Sequence, residues 1–413
     1  MEELELSIMS RGLDPVGGLR PLLDEFEAQH HCRVRVRVLL WETAWADLVK
    51  VALYSHGPDV SEVGTGWVNN LVAMNALRPF YTSEQDAIGG PSAFLDSAWR
   101  SGWLMGDKQR WAIPWLADTR VIYYRRDLLA KAQIDERTAF QSQQQLEQAL
   151  ERLQASGIAS PWVVPTQYAR NTLHNVASWV WGARGDFISA NGKRTLFSQV
   201  ESRAGIRAYL GLHRYLSPAA RNLDILQSDG LYQQGGAAVT ISGPWLVLRN
   251  VEQPTVAEVV ANTGATLPPG VPFVGGSNLV IWKHTRHENT AVELVRFLTS
   301  QSVQYSYCRG AGLLPVRLDV LNGSPFADHP LYRVMSEGVK IGRPFPSFAA
   351  WGLVEDGLTA ELTNLWADVL ADPQLNLDAA IDERLGSWPD GWISHSLRPS
   401  ERKTGGTFAL RIL

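Results

Sequence analysis

Apolar and charged positions alternate strictly in "RVRVRVLL" (33–40), the two-residue period of a strand with one wet face. A second alternating stretch, "LELSIM" (4–9), stands near the start of the chain. Between them, "LRPLLDEFEAQH" shifts to the spacing of an amphipathic helix. "ETAWADLVKVALYSHG" is helical up to Gly57, "PDVSEVG" gives a short strand after Pro58, and "WVNNLVAMNAL" is helical again. Residues 1–80 thus read β-α-β-α-β-α, which predicts a parallel sheet wrapped by helices.

Further along, "RWAIPWLADTRVIYYRRDLLAKAQI" (110–134) holds two short strand-like stretches around Pro114-Trp115, then a helix from Asp127. "FQSQQQLEQALERLQASG" keeps helical spacing despite its glutamine run, so it reads as a helix with a solvated face. "SPWVVP" predicts a strand, and "NTLHNVASWVWGARG" and "ESRAGIRAYLGLHRYL" predict helices. In "GGAAVTISGPWLVLRN" (235–250) a β-prone run stops at Ser242-Gly243. Pro244 then opens a helix, and Trp245 sits at its mouth. "ATLPPGVPFVGGSNLVIW" is broken by Pro and Gly and then strand-like, and "ENTAVELVRFLTSQSVQYSYC" (288–308) reads as one long helix. After "GAGLLPVRLDV" the chain is helix-rich, and from about residue 391 it is polar and aperiodic. The late return to strands suits a chain that passes between two lobes more than once.

The 413 residues make about two or three domain-sized units. With 45% hydrophobic and 19% charged residues the chain can bury sizeable cores. A net charge of −4 offers no basic stripe for nucleic acid. Neither a cationic amphipathic segment nor an apolar run of about 18 residues is present for a membrane. Cys32 and Cys308 make no disulfide framework or metal cluster, and we expect them unpaired. The start, "MEELELSIMSRG", lacks the basic, apolar and cleavage regions of a signal peptide. Tryptophan is unusually frequent, at 16 residues; such rings either fill the core or form stacking platforms for flat ligands.

No dinucleotide fingerprint, Walker loop, nucleophile elbow or HExxH motif is found, so we expect no catalytic residues, cofactor or metal. His284 and His287 read as solvated surface. The many carboxylates leave a glycosidase-type acid/base pair open. Four spots suggest ligand contact. Asp118 precedes an apolar-aromatic strand, where it can accept hydrogen bonds from vicinal hydroxyls or merely cap a turn. "GTGW", ending at Trp67, joins a strand to a helix, the usual position of a ligand crevice. "GGSN" (Gly275, Gly276, Ser277, Asn278) is either a plain turn or a backbone that approaches a ligand closely. Arg343 precedes an aromatic stretch ending at Trp351; it is either structural or a bidentate donor to a sugar, phosphate or carboxylate.

Taken in order, these pieces resemble the solute-binding proteins of ABC importers, of the maltose-binding type. "PDVSEVGTGWVNNLVAMNALRPF" is similar to that family's first-lobe strand and helix. "WAIPWLADTRVIYYRRDLL" is similar to its first crossover, and "YQQGGAAVTISGPWLVLRN" to the segment before the second. "GGSNLVIWKHTRHENTAVELVRFLTS" resembles the return strand and helix, and "GLLPVRLDV" the third crossing. The likeness spans about residues 4–385.

The resemblance implies an α/β, periplasmic-binding-protein-like fold with two lobes, three crossovers at a hinge and a ligand cleft between. The lobes would be 1–115 with 270–315, and 116–269 with 316–390, followed by a tail at 391–413. Asp118 matches a carboxylate that binds sugar hydroxyls, Trp245 a ring that stacks on sugar, Gly275–Asn278 a loop that reaches the ligand, and Arg343 a cleft arginine of some members. Trp67 lies in the first-lobe ligand turn, where the alignment slips, and Leu116 departs from members with an aromatic there. Second-lobe contacts between Gln167 and Trp181 find no match. The implied function is an extracytoplasmic receptor, periplasmic or cell-surface and in some forms lipid-anchored. It would act as a monomer, capture a disaccharide or oligosaccharide and deliver it to an ABC importer permease. Its export signal would then lie upstream of this sequence. A polyol, glycerol phosphate or peptide on the same fold is the alternative, and a glycosidase the second.

Overall fold

The computed structural model describes residues 2–10, 16–104, 106–189, 192, 194–248, 253–347 and 351–386. The expected tail lies outside them. The strands are β1 (Glu2–Met9), β2 (Cys32–Leu39), β3 (Val60–Gly64), β4 (Leu77–Arg78), β5 (Ile113–Thr119), β6 (Val121–Arg125), β7 (Trp162–Val163), β8 (Val239–Ser242), β9 (Thr263–Thr266), β10 (Val274–Trp282) and β11 (Leu314–Pro315). They form two sheets, one of seven strands in the order β11-β5-β10-β3-β1-β2 with β4 on β10, and one of four in the order β7-β8-β6-β9.

β1 pairs in parallel with β2 and β3, as the β-α repeat predicts. β10 then enters antiparallel between β3 and β5, which makes the sheet mixed. The alternation in β2 places Arg33, Arg35 and Arg37 in solvent on an edge strand, a charge pattern that deters edge-to-edge pairing. Within β10, Leu279 and Ile281 join the main core while Val280 and Trp282 join a second cluster with Leu48, Val63, Trp67 and Leu71. Successive residues of a strand face opposite sides, so this one strand supplies both faces of the first sheet. Trp115, Trp162, Trp179, Trp282, Trp351 and Trp366 are fully buried, so much of the tryptophan excess is core.

The expected long helix at 288–308 is two helices, Glu288–Leu298 and Gln301–Ala311. Ser300 caps the second by accepting the Val303 amide, and Thr299 turns its hydroxyl back to the Val295 carbonyl at 2.7 Å. Both local bonds compete with a continuous helix. The break lets buried Gln304 donate to the Trp115 carbonyl at 2.8 Å and accept from the Val316 amide at 3.0 Å, which ties β5 to the chain just after β11. Cys32 and Cys308 are both buried and are not joined by a disulfide. Among the described residues no helix is long and apolar enough to cross a membrane.

Candidate functional site

The chain changes sheets at a single residue. β5 ends at Thr119 in the first sheet, β6 starts at Val121 in the second, and Arg120 stands between them. The strand thus runs on through the 115/116 boundary expected from sequence. The second passage joins β9 to β10 through Leu267–Phe273. The third returns from β11 through the helix Pro330–Ile341 to Arg343. Passages two and three pair: Arg343 N donates to the Pro272 carbonyl at 2.8 Å and Val274 N to the Arg343 carbonyl at 2.9 Å. Thr119 Oγ1 donates to the Phe273 carbonyl at 2.8 Å and ties in the first. Backbone polar groups of three crossings thus satisfy one another at the junction.

Asp118 and Arg120 lie two apart and share a face. Arg120 is buried, and its Nη1 donates to both oxygens of Asp118 at 2.7 Å each. Its Nη2 bonds His174 Nδ1 at 3.0 Å. Because a guanidinium only donates, Nδ1 accepts, so the neutral ring carries its proton on Nε2. That nitrogen faces Glu355 Oε1 at 3.4 Å. Burial holds the His174 pKa below its usual value; the Arg120 cation adds to this, and Glu355 opposes it. The imidazole also stacks on Phe273, with ring centres 4.3 Å apart.

Trp245 reaches the same arginine from the second sheet. Its half-buried ring lies 5.0 Å from the Arg120 guanidinium carbon, and Nε1 donates to Asp229 Oδ2 at 2.8 Å. Asp229 is fixed in turn by Ser242 Oγ at 2.9 Å. A Cβ on Gly243 would lie 2.1 Å from the Trp245 ring, so only glycine lets the indole fold back over the join. Tyr123 supports the turn from below, donating its hydroxyl to the Gly243 carbonyl at 2.7 Å.

Two other groups adjoin this one. Arg343 is exposed and ion-paired: its Nη2 donates to Asp186 Oδ2 at 2.5 Å and the guanidinium lies over the Trp181 ring at 5.1 Å. Phe345, two residues on, packs against Phe273 at 5.0 Å and Trp351 at 4.6 Å. Trp351, fully buried, opens the helix Trp351–Ala371 and lies beside Gly66 of the first lobe. Trp67 is buried too, 5.6 Å from Trp41 and 5.7 Å from Trp45. Arg170 covers it at 5.6 Å and bridges to Asp356 at 2.7 Å.

The segment Gly275–Asn278 is not a loop. It forms the front half of β10, with Gly275 opposite Asp118 and Ser277 and Asn278 buried. Asn278 bonds Ser101, its Nδ2 donating to Oγ at 3.0 Å. The two glycines have local causes. A Cβ on Gly276, whose φ is +133°, would meet the Leu116 carbonyl at 2.0 Å, and one on Gly275 would strike the Phe273 ring at 2.7 Å. They let the strand press against β5 and the ring fold over it.

The structure therefore joins Asp118 and Trp245 through Arg120 and links Arg343 to Trp351 through the aromatic cluster. It holds Trp67 and Gly275–Asn278 in packed positions. Sequence reasoning missed Arg120, His174, Asp229, Phe273 and Phe345. Only Arg120 had a signal, a charge opposite to that of Asp118 two residues before it. A surface cavity of about 400 Å3 beside Leu223, Leu226 and Leu231 is lined by none of these residues. It lacks the convergent charged and aromatic groups that mark the Arg120 region as the candidate site.

The profile of the family described as bacterial extracellular solute-binding protein matches residues 14–305. The galactooligosaccharide-binding protein of Bacillus subtilis (strain 168) is 21% identical over 389 residues, covering 89% of this chain and 86% of that protein. The diacetylchitobiose binding protein DasA of Streptomyces coelicolor is 22% identical over 333 residues, with 76% and 73% covered. An ABC transporter solute-binding protein from Thermotoga lettingae TMO, bound with α-D-tagatose, superposes with a TM-score of 0.81 at 19% identity, over 93% of this chain and 98% of that one. The last is a likeness of fold: two α/β lobes joined by three crossings, with a cleft between.

Proposed function

The chain belongs to the bacterial extracellular solute-binding protein family, and from that premise we propose that it captures a disaccharide or oligosaccharide in the cleft between its lobes for an ABC importer. One observation carries the reading: a carboxylate and a half-open indole converge on the residue where the chain passes between sheets. A carboxylate accepts bonds from paired hydroxyls, and an indole face covers the apolar side of a sugar ring. Asp118 and Trp245 are the contacts we assign first. Trp67, Trp351 and Arg343 shape the walls through their protein partners, and Gly275–Asn278 set the strand behind Asp118. The sugar-binding relatives support the substrate class.

We place the lobe division at Arg120, where β5 of the first sheet gives way to β6 of the second, with the other passages at Leu267–Phe273 and after β11. Capture works by closure, because a ligand that touches both lobes favours the state in which they meet. Asp118 is held in an ion pair with the Arg120 guanidinium, which supports binding over glycoside hydrolysis. The family assignment supports an extracytoplasmic location, with the importer permease as partner.

Calorimetric titration with maltotriose, galactotriose and diacetylchitobiose tests the reading, with glycerol phosphate, sorbitol and a tripeptide alongside. At least one neutral sugar should bind and be recovered intact after long incubation. Binding only to a non-sugar, or steady release of reducing ends, would replace this reading with another.

A further inference from the structure

We propose that Arg120 is a specificity-determining residue that restricts the cleft to uncharged sugars by cancelling the charge of Asp118; the inference rests on the sugar-binding reading above. A half-buried carboxylate alone would hold a negative charge in a poorly solvated place and so attract an ammonium group. Here Nη1 of Arg120 donates a bond to each oxygen. A carboxylate has about four acceptor positions, so Asp118 keeps acceptors for sugar hydroxyls while the pair bears no net charge.

Nor can the arginine serve an anion instead. It is buried, its Nη2 donates to His174, and the rings of Trp245 and Phe273 lie 5.0 and 5.6 Å from its guanidinium carbon. The neighbouring cations are engaged as well: Arg343 with Asp186, and Arg170 with Asp356 and Glu355. Arg120, Arg343 and Arg170 are thus each matched by a carboxylate of the protein. A hydroxyl gains from Asp118 at little electrostatic cost, an amine finds no net negative charge on the Asp118–Arg120 pair, and a uronate finds these three cations already paired.

The test adds chitobiose with free amines and digalacturonate to the three neutral sugars, titrated against the wild type, Arg120→Gln and Arg120→Lys. The wild type should bind its best neutral sugar at least about tenfold more tightly than either charged one, a gap of ~1.4 kcal/mol. Arg120→Gln uncovers Asp118, so affinity for chitobiose should rise while that for the neutral sugar falls about tenfold. Arg120→Lys keeps the positive charge and should keep the neutral preference; a purely structural role for Arg120 would shift all sugars together. Equal wild-type binding of charged and neutral sugars overturns this inference alone, as does an unchanged ratio in a folded Arg120→Gln. If no sugar binds the wild type, the functional reading falls and this one with it. Should Arg120→Gln fail to fold, the wild-type ratio and Arg120→Lys still decide.

Discussion

Two strand-to-helix joins in this molecule share a pattern and end differently. In the first lobe, Gly64-Thr65-Gly66 leads from β3 into Trp67; in the second, Ser242-Gly243-Pro244 leads from β8 into Trp245. The helix Trp41–Tyr54 sends Trp41 and Trp45 against the Trp67 ring and buries it. No aromatic ring among the described residues covers Trp245; its edge is bonded to Asp229 and the ring is left half open over Arg120. The same residue at the same kind of join becomes core in one lobe and stays half-open in the other, according to what the preceding helix supplies. One helix, Arg170–Gly182, serves both joins: Arg170 covers Trp67, and His174, one turn on, bonds the arginine beneath Trp245.

That contrast can be broken most forcefully at Trp67. Trp67→Ala should cost about 3–5 kcal/mol of folding stability, read by denaturant unfolding, whereas Trp245→Ala should cost much less. Equal losses would erase the distinction between core and platform. A smaller effect separates the glycines. Gly243→Ala drives a methyl into the Trp245 ring and should cost about 1–3 kcal/mol, with a changed indole fluorescence. Gly66→Ala meets Glu355 and Trp351 only at 3.2 and 3.4 Å, so it should be milder. If Gly66→Ala proves the worse, the Trp245 pose is not what glycine secures.

The smallest effect is expected at His174. Burial lowers its pKa in the folded state, while an unfolded histidine titrates near about 6.5. Above that pH both states are neutral there and the full stability is present. As pH falls through about 6.5, the unfolded chain takes up a proton that the folded one resists, so stability declines by at most about 1.4 kcal/mol per pH unit. Melting curves between about pH 5 and about pH 7.5 should show a shallower decline for His174→Gln. An identical slope in the variant would place the effect elsewhere.

The periodic parts of the fold could be read from the chain. β1, β2 and β3 announce themselves by alternation and by the Pro58 and Gly57 breaks, and the parallel pairing follows. Asp118 and Trp245 are legible as a carboxylate at a bend and an odd aromatic at a join. What escaped was whatever depends on distant partners. Gly275-Gly276 looks like a turn because glycines end strands, yet here they continue one, and the reason is a Leu116 carbonyl and a Phe273 ring brought up by folding. Arg343 looks available until Asp186, far away in sequence, is placed beside it. The long helix at 288–308 splits because Ser300 can cap, a signal present in the sequence but outweighed by the apolar periodicity around it.

The most direct measurement is calorimetric titration of Trp245→Ala with whichever neutral oligosaccharide binds the wild type most tightly, alongside a melting curve. The account predicts affinity at least about tenfold weaker, ~1.4 kcal/mol or more, with the melting temperature nearly unchanged. Wild-type affinity in a folded Trp245→Ala protein would contradict it.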